Sequence, residues 1–383
     1  MVRVTGHAYP WDVIGDAAFP SRVRDTGVES VTLAAVYHAT RAATPLHPGH
    51  QIVDARGTAL YRPVRDTVWA GRRLRPVAPE WMDAPDPYRQ AAVALRAAGL
   101  RVDAWVVLTH DSRLGRARPD LAVVNCFGEP YPYALCPTHE EVRDYAATLA
   151  AEAVRDAPVD GVSLEACGQL GVTHAGPHEK TDGAWTAEAA RWLSVCCCAG
   201  CQAAWSARGL DPGGVLTALR AAVRAQAHGT PGHTLRAEIA AALLAARHET
   251  TDLLRAQVIA GVRTVTPAAA LTLHAQPDPW ATGPSPGLTP AAAKEVDRLL
   301  VPAWPTESPS AAAISAAAAT GVPVDAYVTV LPPARPDDLP AHVDRLLAAG
   351  ASGIALYHLG LAPSGGQATL AALATRAHEG QPA

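Results

Sequence analysis

The chain has 383 residues, 49% of them hydrophobic, and a formal net charge of -4. So small a charge gives no electrostatic case for nucleic acid, and no Lys/Arg block or basic helix suggests a membrane surface. No apolar run reaches the roughly 18 residues that span a bilayer, and the opening MVRVTGHAYPWD has no basic stretch leading into an apolar core. Seven cysteines, an odd number, without an export signal point to a reducing cytoplasm.

From the N-terminus onward, short runs rich in Val, Ile, Leu and Tyr alternate with Ala-rich stretches. The runs are VRVTGHAY (2–9), SVTLAAVYH (30–38), VDAWVVLTH (102–110), VDGVSLEA (159–166), ALTLHA (270–275), RLLVPAW (298–304), VDAYVTVL (324–331) and SGIALYHLG (352–360). Most follow a helical stretch that stops in a glycine turn, as in RDTGVES, RAAGLRV, AATGVPV and LAAGASG. Glycine just past the last helical turn is a common stop, because the left-handed conformation costs it nothing. Strand, helix, glycine turn, strand is the pattern of βαβ units on a parallel sheet.

Eight such units predict a (β/α)8 TIM barrel, with residues 1–383 as a single domain. A doubly wound sheet is the weaker alternative, since no G-x-G-x-x-G follows the first run. Insertions at about 39–100 and 167–268 interrupt the even spacing. Loops after strand C-termini build the active face of such barrels, so both insertions are expected to shape a pocket. Within the second, 217–262 reads as one or two amphipathic helices.

Polar residues that end the runs are expected to face that pocket. They include His7, Tyr9, Tyr37, His38, Thr109, His110, Glu165, His274, Trp304, Thr329, Tyr357 and His358. A barrel core prefers branched aliphatics, so this recurrence of His and aromatics does not read as packing. For any one histidine alone a hydrogen-bonded structural role is the simpler reading. Together they suit a hydroxyl-rich ligand, aromatic faces stacking on sugar C–H surfaces and imidazoles bonding hydroxyls.

Glu165 ends an otherwise apolar strand, where an ionised carboxylate is costly unless hydrogen-bonded or functional. It is the candidate general acid; the competing reading is an ion pair with Arg41 or another pocket arginine. A general acid needs a second carboxylate or a water-activating partner. Glu307, after the sixth run, is the choice over Asp111 and Asp278, and its competing reading is an exposed loop residue. Asp325 starts the seventh run and belongs at the opposite end of the barrel. Asp160 reads as a turn or cap residue.

The segment SVCCCAGCQAAW (194–205) carries C-x-C-x-x-C as Cys196, Cys198 and Cys201. Adjacent cysteines bridge one another poorly. With Cys136, upstream in ALCPTHEEV, four thiolates complete a tetrahedral structural zinc site, which ties two long loops of one face together. Cys126 or Cys167 could replace Cys136, and plain burial of all the thiols stays open. Cys197 is expected to be buried.

This layout resembles glycoside hydrolase family 42, the β-galactosidases of the (β/α)8 type. A Cys-Pro opens a helix carrying Arg and Tyr (Cys136, Pro137, Arg143, Tyr145). A strand-four Glu follows, in the place of that family's acid/base. C-x-C-x-x-C then leads into C-x-x-C-Q-A-A-W (Cys198 to Trp205) and ARGLDPGGV. The resemblance covers roughly residues 130 to 215. It departs where Leu164 stands in place of an Asn before the acid/base, and where DAYVTVL offers no nucleophile Glu on strand seven.

These readings combine into a glycoside hydrolase acting on a small or oligomeric sugar, with Glu165 as acid/base, Glu307 as its partner carboxylate and no organic cofactor. The alternative is a non-hydrolytic, carbohydrate-binding barrel. A catalytic-metal hydrolase is weaker, since neither H-x-H nor H-E-x-x-H is present. The expected partner is a carbohydrate ligand, with no nucleic acid and no membrane; self-association into a homo-oligomer stays open.

Overall fold

The computed structural model describes residues 2–174, 176, 179–181, 183–230 and 234–380. Eight parallel strands carry the architecture: β1 (Arg3–Ala8), β2 (Ser30–Tyr37), β3 (Arg101–Val107), β4 (Gly161–Glu165), β5 (Ala270–His274), β6 (Arg298–Pro302), β7 (Val324–Thr329) and β8 (Gly353–Tyr357). Each pairs in parallel with the next, and β8 pairs with β1, so the sheet closes on itself. All eight expected runs are strands of this barrel. Every residue of β2 and β7 is buried, as continuous apolar strands are when helices cover the outside and side chains fill the inside.

The N-terminal end of the barrel is closed by charge. Arg3 donates to Asp103 and, at 3.2 Å, to Asp325. Arg298 donates to Asp325 at 2.8 Å, and Ser30 to Asp103 at 3.2 Å. Asp325 therefore belongs to this floor, as its place at the start of β7 predicts. Asp160 accepts from the Val102 amide and from Arg96, the turn role expected of it.

The opposite end carries the insertions. After β2 come the hairpin Thr40–Ala43 with Ile52–Ala55, a short strand Ala59–Leu60 antiparallel to the end of β2, and the helices Asp66–Trp69 and Pro87–Ala97. After β4 come the helices Ala187–Leu193, Ala199–Ser206, Pro212–Ala227 and Ala237–Val265, so the 217–262 stretch is two helices. A third excursion, which the spacing of the runs did not separate, follows β3. It is a short helix, Ser112–Ala117, and a hairpin, Ala122–Val124 with Pro130–Leu135.

The helix Glu140–Val154 lies against Ala237–Val265, and Gly261 lets the two backbones approach. A Cβ at Gly261 would stand 2.6 Å from the Ala147 carbonyl oxygen. Among the described residues no helix is long and apolar enough to cross a membrane.

Candidate active site

The C-terminal ends of the strands surround a cavity of about 730 Å³. Its wall alternates aromatic and polar groups: Tyr37 from β2, Trp105 from β3, Glu165 from β4, His274 from β5, Tyr327 from β7 and Tyr357 from β8. The insertion after β4 adds Thr173, Arg191 and Ser194, and the loop after β5 adds Gln276, Asp278 and Trp280. Trp304, after β6, is 42% exposed at the mouth and lies 5.2 Å from Tyr357, ring centre to ring centre. Such a wall offers flat apolar faces with convergent hydrogen-bonding groups, the general form of a small-molecule site.

Glu165 is 4% exposed and still contributes to this wall. Trp105 Nε1–H donates to its Oε2 at 2.7 Å. His274 Nδ1 stands 3.7 Å from the same oxygen, and His274 Nε2 is 2.9 Å from Ser163 Oγ. Burial pushes the Glu165 carboxyl up from 4.5 to about 7, with the Trp105 hydrogen bond opposing the rise. Burial also lowers His274 to about 3, so the imidazole is neutral. When the Ser163 hydroxyl donates to Nε2, the ring proton sits on Nδ1 and faces Glu165.

Serine, histidine and carboxylate in this order resemble a nucleophilic triad. Ser163, however, is two residues deeper along β4 and does not line the cavity. Its hydroxyl serves His274, not a substrate.

The backbone just past Glu165 is unusual. Ala166 has φ of 53°, the left-handed region that costs an L residue about 1 kcal/mol or more. Thr109 Oγ1–H lies within bonding reach of the Ala166 and Gly168 carbonyl oxygens, at 2.8 and 3.0 Å, and the Ala166 amide donates to Pro284 O at 2.8 Å. The turn that ends β4 is thereby fixed from two sides.

The structure divides the residues named from the sequence. Tyr37, His38, His274, Trp304, Tyr357 and Glu165 line the cavity. His7, Tyr9 and His358 are buried behind its wall. The His7 ring packs 4.5 Å from Tyr327 and 4.8 Å from Trp105, and His358 stacks on Tyr9 at 4.2 Å. His358 Nδ1 accepts from the Gly360 amide at 3.2 Å and lies 3.8 Å from Asp12 Oδ2. Asp12 is pushed up to about 8 by the same burial, so a raised carboxyl alone does not mark the cavity. His110 sits just outside the wall, its ring 4.6 Å from His38.

Glu307 is displaced from the role expected of it. It is exposed at the start of the helix Ser308–Ala318 and does not line the cavity. Asp111 caps the helix Ser112–Ala117 by accepting from the Leu114 amide at 2.8 Å. Arg41 is exposed on the hairpin after β2, and no arginine lies in salt-bridge range of Glu165 among the described residues. Asp278 is the other acidic residue of the cavity wall; Arg191 Nη2 stands 3.8 Å from its Oδ2.

The sequence reading missed Trp105 and Tyr327. Both lie inside apolar runs, not at their ends. Alternation along a strand was the available signal: Tyr327 shares a face with Asp325 and Thr329, and Trp105 with Asp103.

Cys136, Cys196, Cys198 and Cys201 come together in a separate site. Their sulfurs all lie within 4.8 Å of one another, and all four are buried. Cys136 is 3.7 Å from both Cys198 and Cys201. A regular tetrahedron with metal–sulfur bonds of about 2.3 Å has edges of about 3.8 Å, so the spacing fits a bound zinc-sized ion. Gln169 Nε2 points at the sulfurs of Cys136 and Cys201 at 3.9 and 3.8 Å, and Thr138 Oγ1 stands 3.1 Å from Cys201 Sγ. Donors of this kind suit thiolates, the ligating form. Cys126, Cys167 and Cys197 are buried outside the group.

No family model matches the chain, and no curated protein matches it in sequence. Its fold is similar to those of solved glycosidases. α-L-Fucosidase isoenzyme 2 from Paenibacillus thiaminolyticus aligns with a TM-score of 0.60 at 13% identity, over 98% of this chain and 49% of the fucosidase. The catalytic domain of β-amylase from Paenibacillus polymyxa aligns at 0.59 and 13%, over 99% of both chains. A family 42 β-galactosidase from G. stearothermophilus aligns at 0.51 and 14%, over 93% of this chain and 51% of that one. The chain thus spans about half the length of the fucosidase and the β-galactosidase. At these identities the likeness is one of fold: this chain is a (β/α)8 barrel of the architecture that those glycosidases use.

Proposed function

We propose that this barrel hydrolyses a glycosidic bond, with Glu165 as the general acid. One observation carries the reading: a single carboxyl that is buried, raised to about 7, and yet part of the wall of a large aromatic cavity. Burial keeps the proton on Glu165 up to neutral pH, where it is available to a departing glycosidic oxygen. Trp105 Nε1–H then stabilises the carboxylate left behind. Tyr37, His38, His274, Trp304 and Tyr357 hold the sugar, rings against its C–H faces and polar atoms against its hydroxyls. His7, Tyr9 and His358 support that wall from behind.

Asp278 takes the place first given to Glu307. It lines the same cavity from the loop after β5, and its side chain is exposed to water. A base acting through water leads to inversion at the anomeric carbon. β7 ends without a carboxylate, which speaks against a strand-seven nucleophile and gives some weight to the other reading, a barrel that binds sugar without cleaving it. The four cysteines hold a structural zinc. When bound, that ion cross-links the hairpin after β3 to the helical insertion after β4, and so fixes two walls of the active face.

The test is a panel of aryl glycosides. Hydrolysis of at least one member, with the first-formed sugar of inverted configuration by proton NMR, is the expected result. A retained configuration would remove Asp278 as base. Ligand-induced thermal shifts with no turnover would replace hydrolysis by binding.

A further inference from the structure

Three histidine rings meet at the cavity rim: His38 just past β2, His110 just past β3, and His174 in the loop after β4. The Nε2 atoms of His110 and His174 face each other at 3.1 Å. The Nδ1 atoms of the flanking rings are already engaged. His174 Nδ1 lies 3.4 Å from Glu179 Oε2, and His38 Nδ1 lies 2.9 Å from the Ala39 carbonyl oxygen. A carbonyl or carboxylate accepts only, so Nδ1–H is the donor in both; in the neutral ring Nε2 then carries a lone pair, which in His174 meets His110 Nε2. Tyr133 stacks on His174 with ring centres 3.9 Å apart and fixes its plane.

We propose that His110 and His174 form the core of a second metal site, separate from the four cysteines, for a divalent transition ion such as Zn²⁺ or Co²⁺, with His38 as the third ligand.

Two ligands at about 2.05 Å from an ion and 3.1 Å from each other subtend an angle of about 98°. That lies between the octahedral and tetrahedral values, so the separation suits two neighbouring ligands of an ion set to one side of the line joining them. An Nδ1–H held by a carboxylate, as His174 Nδ1 is by Glu179, is the usual outer support of a ligating histidine. Imidazole donors select Zn, Co, Ni or Cu over Ca or Mg. Among the described residues, the four cysteines are the only group of three or more side chains with all donor atoms already in mutual reach. His38 must therefore turn Nε2 toward the pair, over a ring-centre distance of 4.6 Å to His110.

His38 and Thr173 line the cavity. The ion's remaining positions would open toward it and accept hydroxyl oxygens of a bound ligand. Without an ion, the His110–His174 contact is an ordinary N–H···N hydrogen bond, and that is the competing account.

The experiment is titration of the full-length, tag-free, zinc-loaded protein with Co²⁺ alone, followed by visible absorption. Saturation at one equivalent, with d–d bands and no thiolate-to-cobalt charge transfer, is the expected result. His110→Gln and His174→Gln should each abolish it, and Glu179→Gln should weaken it about tenfold. The zinc held by the cysteines reports that each variant is folded. No saturable cobalt binding, or binding that survives in the double variant His110→Gln/His174→Gln, overturns the proposal. Neither result depends on glycoside hydrolysis.

Discussion

Replacing Glu165 by Gln should make the protein more stable at alkaline pH, even though it removes the proposed catalytic acid. The native state raises the Glu165 carboxyl from 4.5 to about 7. Between those values the native chain holds a proton that the unfolded chain has released, so stability falls as pH rises. The loss is complete above pH 7. At about 1.4 kcal/mol per unit, it amounts to about 3 kcal/mol. Glutamine keeps a carbonyl oxygen for the Trp105 Nε1–H donor and does not titrate. Other raised acids, Asp12 among them, lower stability over the same range, but they are common to both proteins and cancel in the comparison. The variant should therefore gain on wild type by about 3 kcal/mol between pH 4.5 and pH 8, a relative Tm shift of about 4 °C for a chain of this size. Paired thermal melts at several pH values measure it. A Tm difference that does not change with pH would refute the buried, proton-holding carboxyl.

Further predictions follow from individual contacts. Trp105→Phe removes the one donor that favours the charged form of Glu165, so the basic limb of the activity profile should move up by about one pH unit. Cys198→Ser should lose one equivalent of zinc by metal analysis and destabilise the fold by about 3 kcal/mol or more. Gly261→Val forces a side chain into the Ala147 carbonyl oxygen; denaturant melts should show a loss of about 1–3 kcal/mol with the cavity unchanged.

The barrel was legible because its signals are local and repeated. A run such as ALTLHA between an Ala-rich helix and a turn reads the same way at each of eight places, and closure needs no further information. The cysteine site was legible in part. C-x-C-x-x-C fixed three sulfurs by spacing, but the fourth comes from a hairpin about sixty residues upstream, and only the fold separates Cys136 from Cys126 and Cys167.

The cavity wall was less legible because a strand end is not one position. His274 and Tyr357 end their strands facing inward, toward open space. His7 and Tyr9 also lie at a strand end, yet Tyr327, Trp105 and Trp11 close over them. Glu307 failed for a different reason. The helix Ser308–Ala318 begins at the next residue, and that start carries the side chain out to solvent. Trp105 escaped notice because an indole in VDAWVV looks like core until Glu165 is seen to need its N–H.

The most direct measurement compares wild type and Glu165→Gln on two substrates of one sugar, a phenyl glycoside and a dinitrophenyl glycoside. The first needs a proton on its leaving oxygen and the second does not. The account predicts a loss of roughly 10²- to 10⁴-fold on the phenyl glycoside and little change on the dinitrophenyl one. Equal rates on both substrates for wild type and variant would contradict it, and so would losses of equal size on both.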